Sequence, residues 1–298
     1  MELIELLRSS PALYAVSVGV LGLLVGSFLN VVIHRLPKIM EAEWRADCAA
    51  LDAGPEAPTL PAIAPAYNLV TPRSACPKCG APITALENVP VLSWLWLRGR
   101  CAKCREPISA RYPLVELATG VLSATVAWRF GYGWEGASAL AITWTLVALT
   151  GIDLDTQLLP DSLTLPLLWL GLVAAAYLGR GGASVPVDLK SAVLGAVFGY
   201  LSLWAVYHLF RLATGKEGMG YGDFKLFAAL GAWLGWQMLL PVILLSAASG
   251  AILGILLIVL RRRDRSVPIP FGPYLAVAGW LVMMWPHELV SPWWQLAR

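Results

Sequence analysis

The chain has 298 residues, 58% of them hydrophobic and 14% charged, with a mean hydropathy of +0.66. A soluble domain carries roughly 25% charged residues, so a water-soluble globular domain is excluded and a polytopic membrane protein in a lipid bilayer is expected. The net charge of +3 says little by itself, and no nucleic-acid partner is expected.

Met1 to Ser10 holds Glu2 and Glu5 rather than a basic region, and the first apolar run is long enough to cross a bilayer, so no cleavable signal is expected. With about 20 apolar residues needed per crossing, eight candidate spans follow, at about 13–33, 113–129, 136–152, 163–179, 190–210, 226–241, 242–260 and 269–285. The stretch from Gly231 to Leu260 could be one overlong helix, but its length and Pro241 argue for two. The expected fold is all-α and polytopic, with about eight transmembrane helices and a small cytoplasmic zinc-ribbon-like insertion. Three parts are expected: residues 1–33 as the first membrane helix, 34–112 as a cytoplasmic loop, and 113–298 as the main membrane domain.

Alternating the loops places 34–112, 153–162, 211–225 and 261–268 on one side, and these contain 17 of the 22 Lys and Arg residues. The positive-inside rule puts that set in the cytoplasm and both termini outside. The short run Arg261, Arg262, Arg263 and Arg265 carries this inference best. Trp128, Trp134, Trp285, Trp293 and Trp294 fall near span ends on the outer side and read as an interfacial aromatic belt.

Within 34–112, Leu51 to Pro65 is rich in Pro and Ala and reads as a linker. Beyond it, Cys76-Pro-Lys-Cys79 and Cys101-Ala-Lys-Cys104 form two CxxC knuckles. Four thiolates at this spacing suit a structural zinc ribbon; two disulfides or a redox pair is the alternative. A cytoplasmic location disfavours disulfides. Zn2+ is therefore the expected metal, held by all four cysteines with no open position for a catalytic water. Cys48 lies outside the pattern and is expected to be a free thiol.

The remaining chemistry lies in carboxylates on the same side. Asp153, Asp155 and Asp161 lie between the third and fourth spans, and Asp223 leads the sixth. An acid where a membrane helix begins costs a few kcal/mol unless it is used or compensated. Two carboxyl groups at close range can share a proton; one then acts as base on a water while the other donates to the carbonyl under attack. Asp161 follows Pro160 at a helix start, where N-capping accounts for it. Asp153 and Asp155 lie about 200° apart on a helix, and Asp153 continues the apolar run, so geometry favours Asp153 while leaving Asp155 open. Gly218, Gly220 and Gly222 remove side chains around Asp223 and leave room for an extended peptide backbone. Glu116, Asn30 and His34 lie near inner span ends without an assigned role, and the three histidines show no ligand spacing.

At these residues the sequence resembles the type IV prepilin peptidases, also called leader peptidase/N-methyltransferases, over nearly its whole length. The parts that carry the resemblance are Gly26 to Pro37, the two CxxC knuckles, Arg111 to Glu116, Ile152 to Asp161, Gly218-Met-Gly-Tyr-Gly-Asp223, and Pro270-Phe-Gly-Pro-Tyr274. The resemblance implies an inner-membrane aspartic endopeptidase of the GxGD kind with Asp153 and Asp223 as its catalytic pair. It implies cleavage of basic leaders from type IV prepilins or type II secretion pseudopilins on the cytoplasmic side. It also implies S-adenosylmethionine-dependent methylation of the new N-terminus, for which no donor-binding residues can be named. Gly220 and Gly222 are the candidates for substrate contact. Two other classes compete: a proton-coupled transporter using paired carboxylates, and a zinc-stabilised pilus assembly scaffold without catalysis.

Overall fold

A computed structural model describes residues 2–53, 67–179, 187–261, 270–286 and 289. Most of the predicted linker, the outer loop after residue 179, the basic run 262–265, and Trp293 and Trp294 lie outside the described residues. The described fold is all-α. Its helices are α1 (Glu2–Ser9), α2 (Pro11–Ala53), α3 (Leu92–Trp96), α4 (Arg111–Phe130), α5 (Trp134–Thr156), α6 (Asp161–Leu178), α7 (Leu189–Thr214), α8 (Tyr221–Leu234), α9 (Leu239–Arg261) and α10 (Gly272–Met284). Each of the eight predicted spans overlaps one of these helices, the sixth running past the end of α8 into the start of α9. Five stretches are long and apolar enough to cross a bilayer by length and composition: Pro11–Asp52, Trp134–Thr156, Asp161–Leu178, Leu189–Thr214 and Trp236–Leu256. The chain is a multi-pass membrane protein.

Two boundaries differ from expectation. Helix α2 runs unbroken through 34–53, where a loop and the start of the linker were expected. Ala, Glu, Arg and Leu dominate 39–53, and these are strong helix formers. The second difference is the break between the sixth and seventh spans, which falls at Gly235 rather than at Pro241. Gly235 adopts φ +83°, ending α8, and a 3-10 turn at Trp236–Met238 leads into α9. Pro241 instead occupies the first turn of α9, where its missing N–H costs nothing.

The chain divides into two compact units, Val16–Ala124 and Met1–Ala15 with Thr125–Arg298. In the first, α2 and α4 meet along a seam of small residues. A β-carbon on Gly22 would lie 2.4 Å from Ser123 Oγ, and one on Gly26 would lie 2.7 Å from Glu116 Cα. Arg35, although 8% exposed, is satisfied: its guanidinium donates to the Asn68 and Pro72 carbonyls at 2.9 and 2.7 Å. It thereby fastens the start of the cysteine-bearing segment to α2.

In the second unit α8 is the core helix. Asp223, Phe224 and every residue from Leu226 to Leu234 are buried, and α6, α7, α9 and α10 pack around them. Its 14 residues reach about 21 Å, short of a roughly 30 Å hydrocarbon layer. Burial inside the bundle, not contact with lipid, accounts for its apolar surface. The tightest crossing is α7 on α8, where a β-carbon on Gly195 would come within 2.1 Å of the Gly231 carbonyl oxygen, and the reverse holds at 2.1 Å. Gly195 and Gly199 make a GxxxG step on α7, the spacing that lets membrane helices approach backbone to backbone. On the other side, Trp233 donates its indole N–H to the Leu167 carbonyl at 2.8 Å and fills the space over Gly171.

Candidate functional site

Asp153 and Asp223 belong to the second unit and are brought together there. Asp153 lies in the last turn of α5; its backbone carbonyl accepts from the N–H of Gln157, which closes the helix in the left-handed conformation. Asp223 lies in the first turn of α8, immediately after the glycine-rich connection. Both side chains are buried, at 4% and 7% exposure, and Asp153 is close enough to Asp223 for their charges to repel. The Gly272 N–H faces the Asp153 carboxylate and the Gly220 N–H faces that of Asp223. One oxygen of each, Asp153 Oδ2 and Asp223 Oδ1, is buried with no hydrogen-bond partner. These two atoms are the buried side-chain oxygens or nitrogens left unsatisfied among the described residues. Leaving such atoms unpaired costs about 1–3 kcal/mol each, more if charged.

Leu159 fixes the arrangement. A β-carbon on Gly222 would lie 2.7 Å from Leu159 Cβ, and one on Gly272 would lie 3.2 Å from Leu159 Cδ1 and 2.6 Å from Asp153 Oδ2. The leucine thus wedges between the residue before Asp223 and the residue against Asp153. The three glycines before Asp223 do different work. Gly218 makes room for the Phe210 ring and Gly222 for Leu159, whereas a β-carbon on Gly220 would make only ordinary contacts, with Asp223 Oδ2 at 3.8 Å and the Gly222 nitrogen at 4.0 Å.

The other two acids are placed apart. Asp155 is exposed. Asp161 is not a cap: Pro160 occupies the N-cap position, and Asp161 is the first helical residue. Its two carboxylate oxygens accept from Lys225 Nζ at 2.6 and 2.7 Å, tying the starts of α6 and α8 together. The expectation of N-capping fails because proline supplies the extended entry to the helix and a lysine two residues beyond Asp223 faces the carboxylate.

The cysteines form a second cluster, in the first unit. All four Sγ atoms lie within 4.8 Å of one another, with Cys76 to Cys104 at 3.7 Å and Cys79 to Cys101 at 4.0 Å. Thiolates around one ion at about 2.3 Å would stand about 3.8 Å apart, whereas a disulfide needs about 2.05 Å; all are free thiols here. The two knuckles repeat one geometry. Gly80 N–H donates to Cys76 O and Arg105 N–H to Cys101 O, with φ +68° and +63° at the donors, and bridges pair Ala75 with Pro82 and Arg100 with Pro107. The backbone N–H groups of Cys79 and Lys78 lower the Cys76 thiol pKa to about 6, while at Cys104 the Glu106 N–H is outweighed by burial and the neighbouring thiols, which push its pKa up to about 12. Cys48 is exposed and outside the cluster.

Glu116, Asn30 and His34 also belong to the first unit. Glu116 accepts from the Val91 N–H at 2.7 Å, Asn30 donates to the Tyr112 carbonyl at 3.0 Å, and His34 Nε2 lies 2.9 Å from Lys38 Nζ. Gly272 and Lys225 were not singled out by the residue-level reading. The signal for Lys225 was its place two residues after Asp223; Gly272 was marked only by lying in the Pro270 to Tyr274 stretch that carries the resemblance.

One buried carboxyl group lies in the last turn of α5 and one in the first turn of α8, and the same chain carries a four-cysteine module. Residues 20–130 match the model of the bacterial peptidase A24 N-terminal domain, and residues 140–255 that of the type IV leader peptidase family. The chain is 57% identical over 291 residues to a prepilin leader peptidase/N-methyltransferase of Aeromonas hydrophila, covering 96% of each chain. It is 53% identical over 298 residues to the protein of that name in Pseudomonas aeruginosa, covering 100% of this chain and 99% of the relative. The Dichelobacter nodosus protein of that name is 49% identical over 290 residues, with 96% of each covered. No solved structure matches. The chain belongs to the type IV leader peptidase family.

Proposed function

We propose that this protein is an aspartic endopeptidase that removes the basic leader of type IV prepilins or type II secretion pseudopilins and then methylates the new N-terminus. The observation that carries the proteolytic reading is the pair of buried, partnerless oxygens on Asp153 and Asp223. The two carboxyl groups hold one proton between them. The ionised one takes a proton from a water, whose oxygen attacks the scissile carbonyl; the protonated one donates to that carbonyl oxygen. On collapse the C–N bond breaks, the leaving amine takes the proton held by the carboxyl that acted as base, and the other carboxylate recovers its proton from a hydroxyl of the diol. The Gly220 N–H and the open space at Gly220 support an extended substrate backbone there, with Gly222 setting the approach through Leu159. Methylation would move a methyl group from S-adenosylmethionine to the freed amine, releasing S-adenosylhomocysteine and a proton from the amine, and the relatives' names support it.

The apolar helices and the family support an inner-membrane location, and the charge distribution supports periplasmic termini, with the acids on the side where a basic leader stays. The thiolate set Cys76, Cys79, Cys101 and Cys104 fits a structural Zn2+, which would close four ligand positions and stiffen the module. Cys76→Ser is expected to remove bound zinc and lower the module's thermal stability while peptide cleavage persists in protein that stays folded. Metal analysis with parallel cleavage and methylation assays checks this; lost hydrolysis in folded protein would make the zinc more than structural.

The test of function is incubation of the purified protein in detergent with a prepilin, followed by mass spectrometry of leader and mature chain. Cleavage that depends on both acids supports the peptidase, and no cleavage by the wild type favours the scaffold. Asp161→Asn removes a pair whose carboxylate is 55% exposed, worth about 0–1 kcal/mol. It is therefore expected to keep most of the cleavage rate, a result checked in the same assay.

A further inference from the structure

Helix α3 carries side chains unsuited to a surface in water. Leu92, Leu95 and Trp96 are 65%, 58% and 87% exposed, and Leu86, in the preceding 3-10 turn, is 82% exposed. Trp94 points the other way, its indole N–H donating to the Ile108 carbonyl at 3.1 Å. Single exposed apolar residues are ordinary, but four large ones within eleven residues mark a surface that something covers.

The depth of α3 indicates what covers it. Val91, the residue before the helix, donates its N–H to Glu116 Oε2 at 2.7 Å and turns through φ +60° at that point. Glu116 lies inside α4, and its Cα is the nearest atom to a β-carbon placed on Gly26 of α2, at 2.7 Å. Gly26 lies within the apolar run 13–33, about 10 Å along the helix from its inner end. The start of α3 is therefore held level with the membrane-spanning parts of α2 and α4 and does not stand off in water. The same bond accounts for Glu116, an acid 9% exposed in an apolar helix. Just past α3 the chain turns basic, with Arg98, Arg100, Lys103 and Arg105 all exposed.

We propose that α3 and Leu86 form an interfacial anchor that lays the cysteine module on the bilayer surface. Leu92, Leu95 and Trp96 enter the boundary between headgroups and acyl chains, and Arg98 and Arg100 meet anionic headgroups. Tryptophan favours this boundary, and apolar faces of surface helices sink about 5–10 Å into it. The anchor stands on geometry in the first unit alone and does not depend on the catalytic reading.

The test uses the full-length protein in nanodiscs of phosphatidylglycerol and phosphatidylcholine. Benzoylphenylalanine replaces Leu92, Trp96 or, as a water-facing control, Lys103, and mass spectrometry follows illumination. Lipid adducts at 92 and 96 are expected in several-fold excess over 103. Adducts at 92 and 96 no more abundant than at 103 would overturn the anchor, as would adducts to added prepilin in place of lipid. With the probe at 96, R98Q/R100Q is expected to lower adduct yield several-fold in discs containing phosphatidylglycerol and to leave it unchanged in phosphatidylcholine alone. An equal effect in both discs would overturn the headgroup contact.

Discussion

Replacing Asp153 or Asp223 with asparagine is expected to lower prepilin cleavage by about 10²–10⁴-fold, the range set by loss of a general acid or base, without loss of folded protein. The two halves of this expectation come from one feature. Because Asp153 Oδ2 and Asp223 Oδ1 have no partner within the chain, the nearly isosteric amide breaks no hydrogen bond at those atoms. It also removes one of two acids that repel each other out of water. Each single variant is therefore expected to melt no lower than the wild type while losing activity. An unfolding scan beside initial cleavage rates checks both; destabilised variants would mean that the acids hold the bundle together.

The second large effect is expected at the α7–α8 crossing. Gly231→Val would drive a branched side chain into the Gly195 carbonyl, which already stands 2.1 Å from where the first added carbon must go. Neither backbone can yield without separating the helices. Overpacking of this kind costs about 1–3 kcal/mol and sometimes more. The displacement also passes along α8 to Asp223, two turns earlier on the same helix. A shift of about 1 Å in a reacting group can cost about 10²-fold in rate. Gly231→Val is thus expected to lower the melting temperature, and surviving folded protein to cleave about a hundredfold more slowly. Wild-type stability and rate would show that the backbones are not in contact there.

Hydropathy located eight apolar helices because a helix that crosses a bilayer or is buried within a bundle must be apolar over most of its length. It misplaced the sixth-to-seventh break because proline at a helix start and proline at a helix end look alike in sequence. Gly235, with its left-handed φ, was the true terminator. The extension of α2 through residue 53 was hidden because polar helix and polar loop differ only in propensity. At the candidate site, Asp153 and Asp223 were legible as acids adjoining apolar runs, and the CxxC spacing was legible as a four-thiol cluster. Asp161 was misread because its partner, Lys225, is 64 residues away. Gly272 was opaque for a similar reason: its proximity to Asp153 arises only when α10 packs on α5. The Gly195–Gly199 step on α7 was available in the sequence and would have located the tight crossing.

The central claim is that Asp223 works with Asp153 and not with the acid two residues further on. It is tested most directly by one comparison, the initial rate of prepilin cleavage by Asp153→Asn and by Asp155→Asn, each purified and shown to be folded. The account predicts a rate near wild type for Asp155→Asn, whose carboxylate is exposed, and a loss of about 10²-fold or more for Asp153→Asn. Equal losses, or a greater loss in Asp155→Asn, would contradict it.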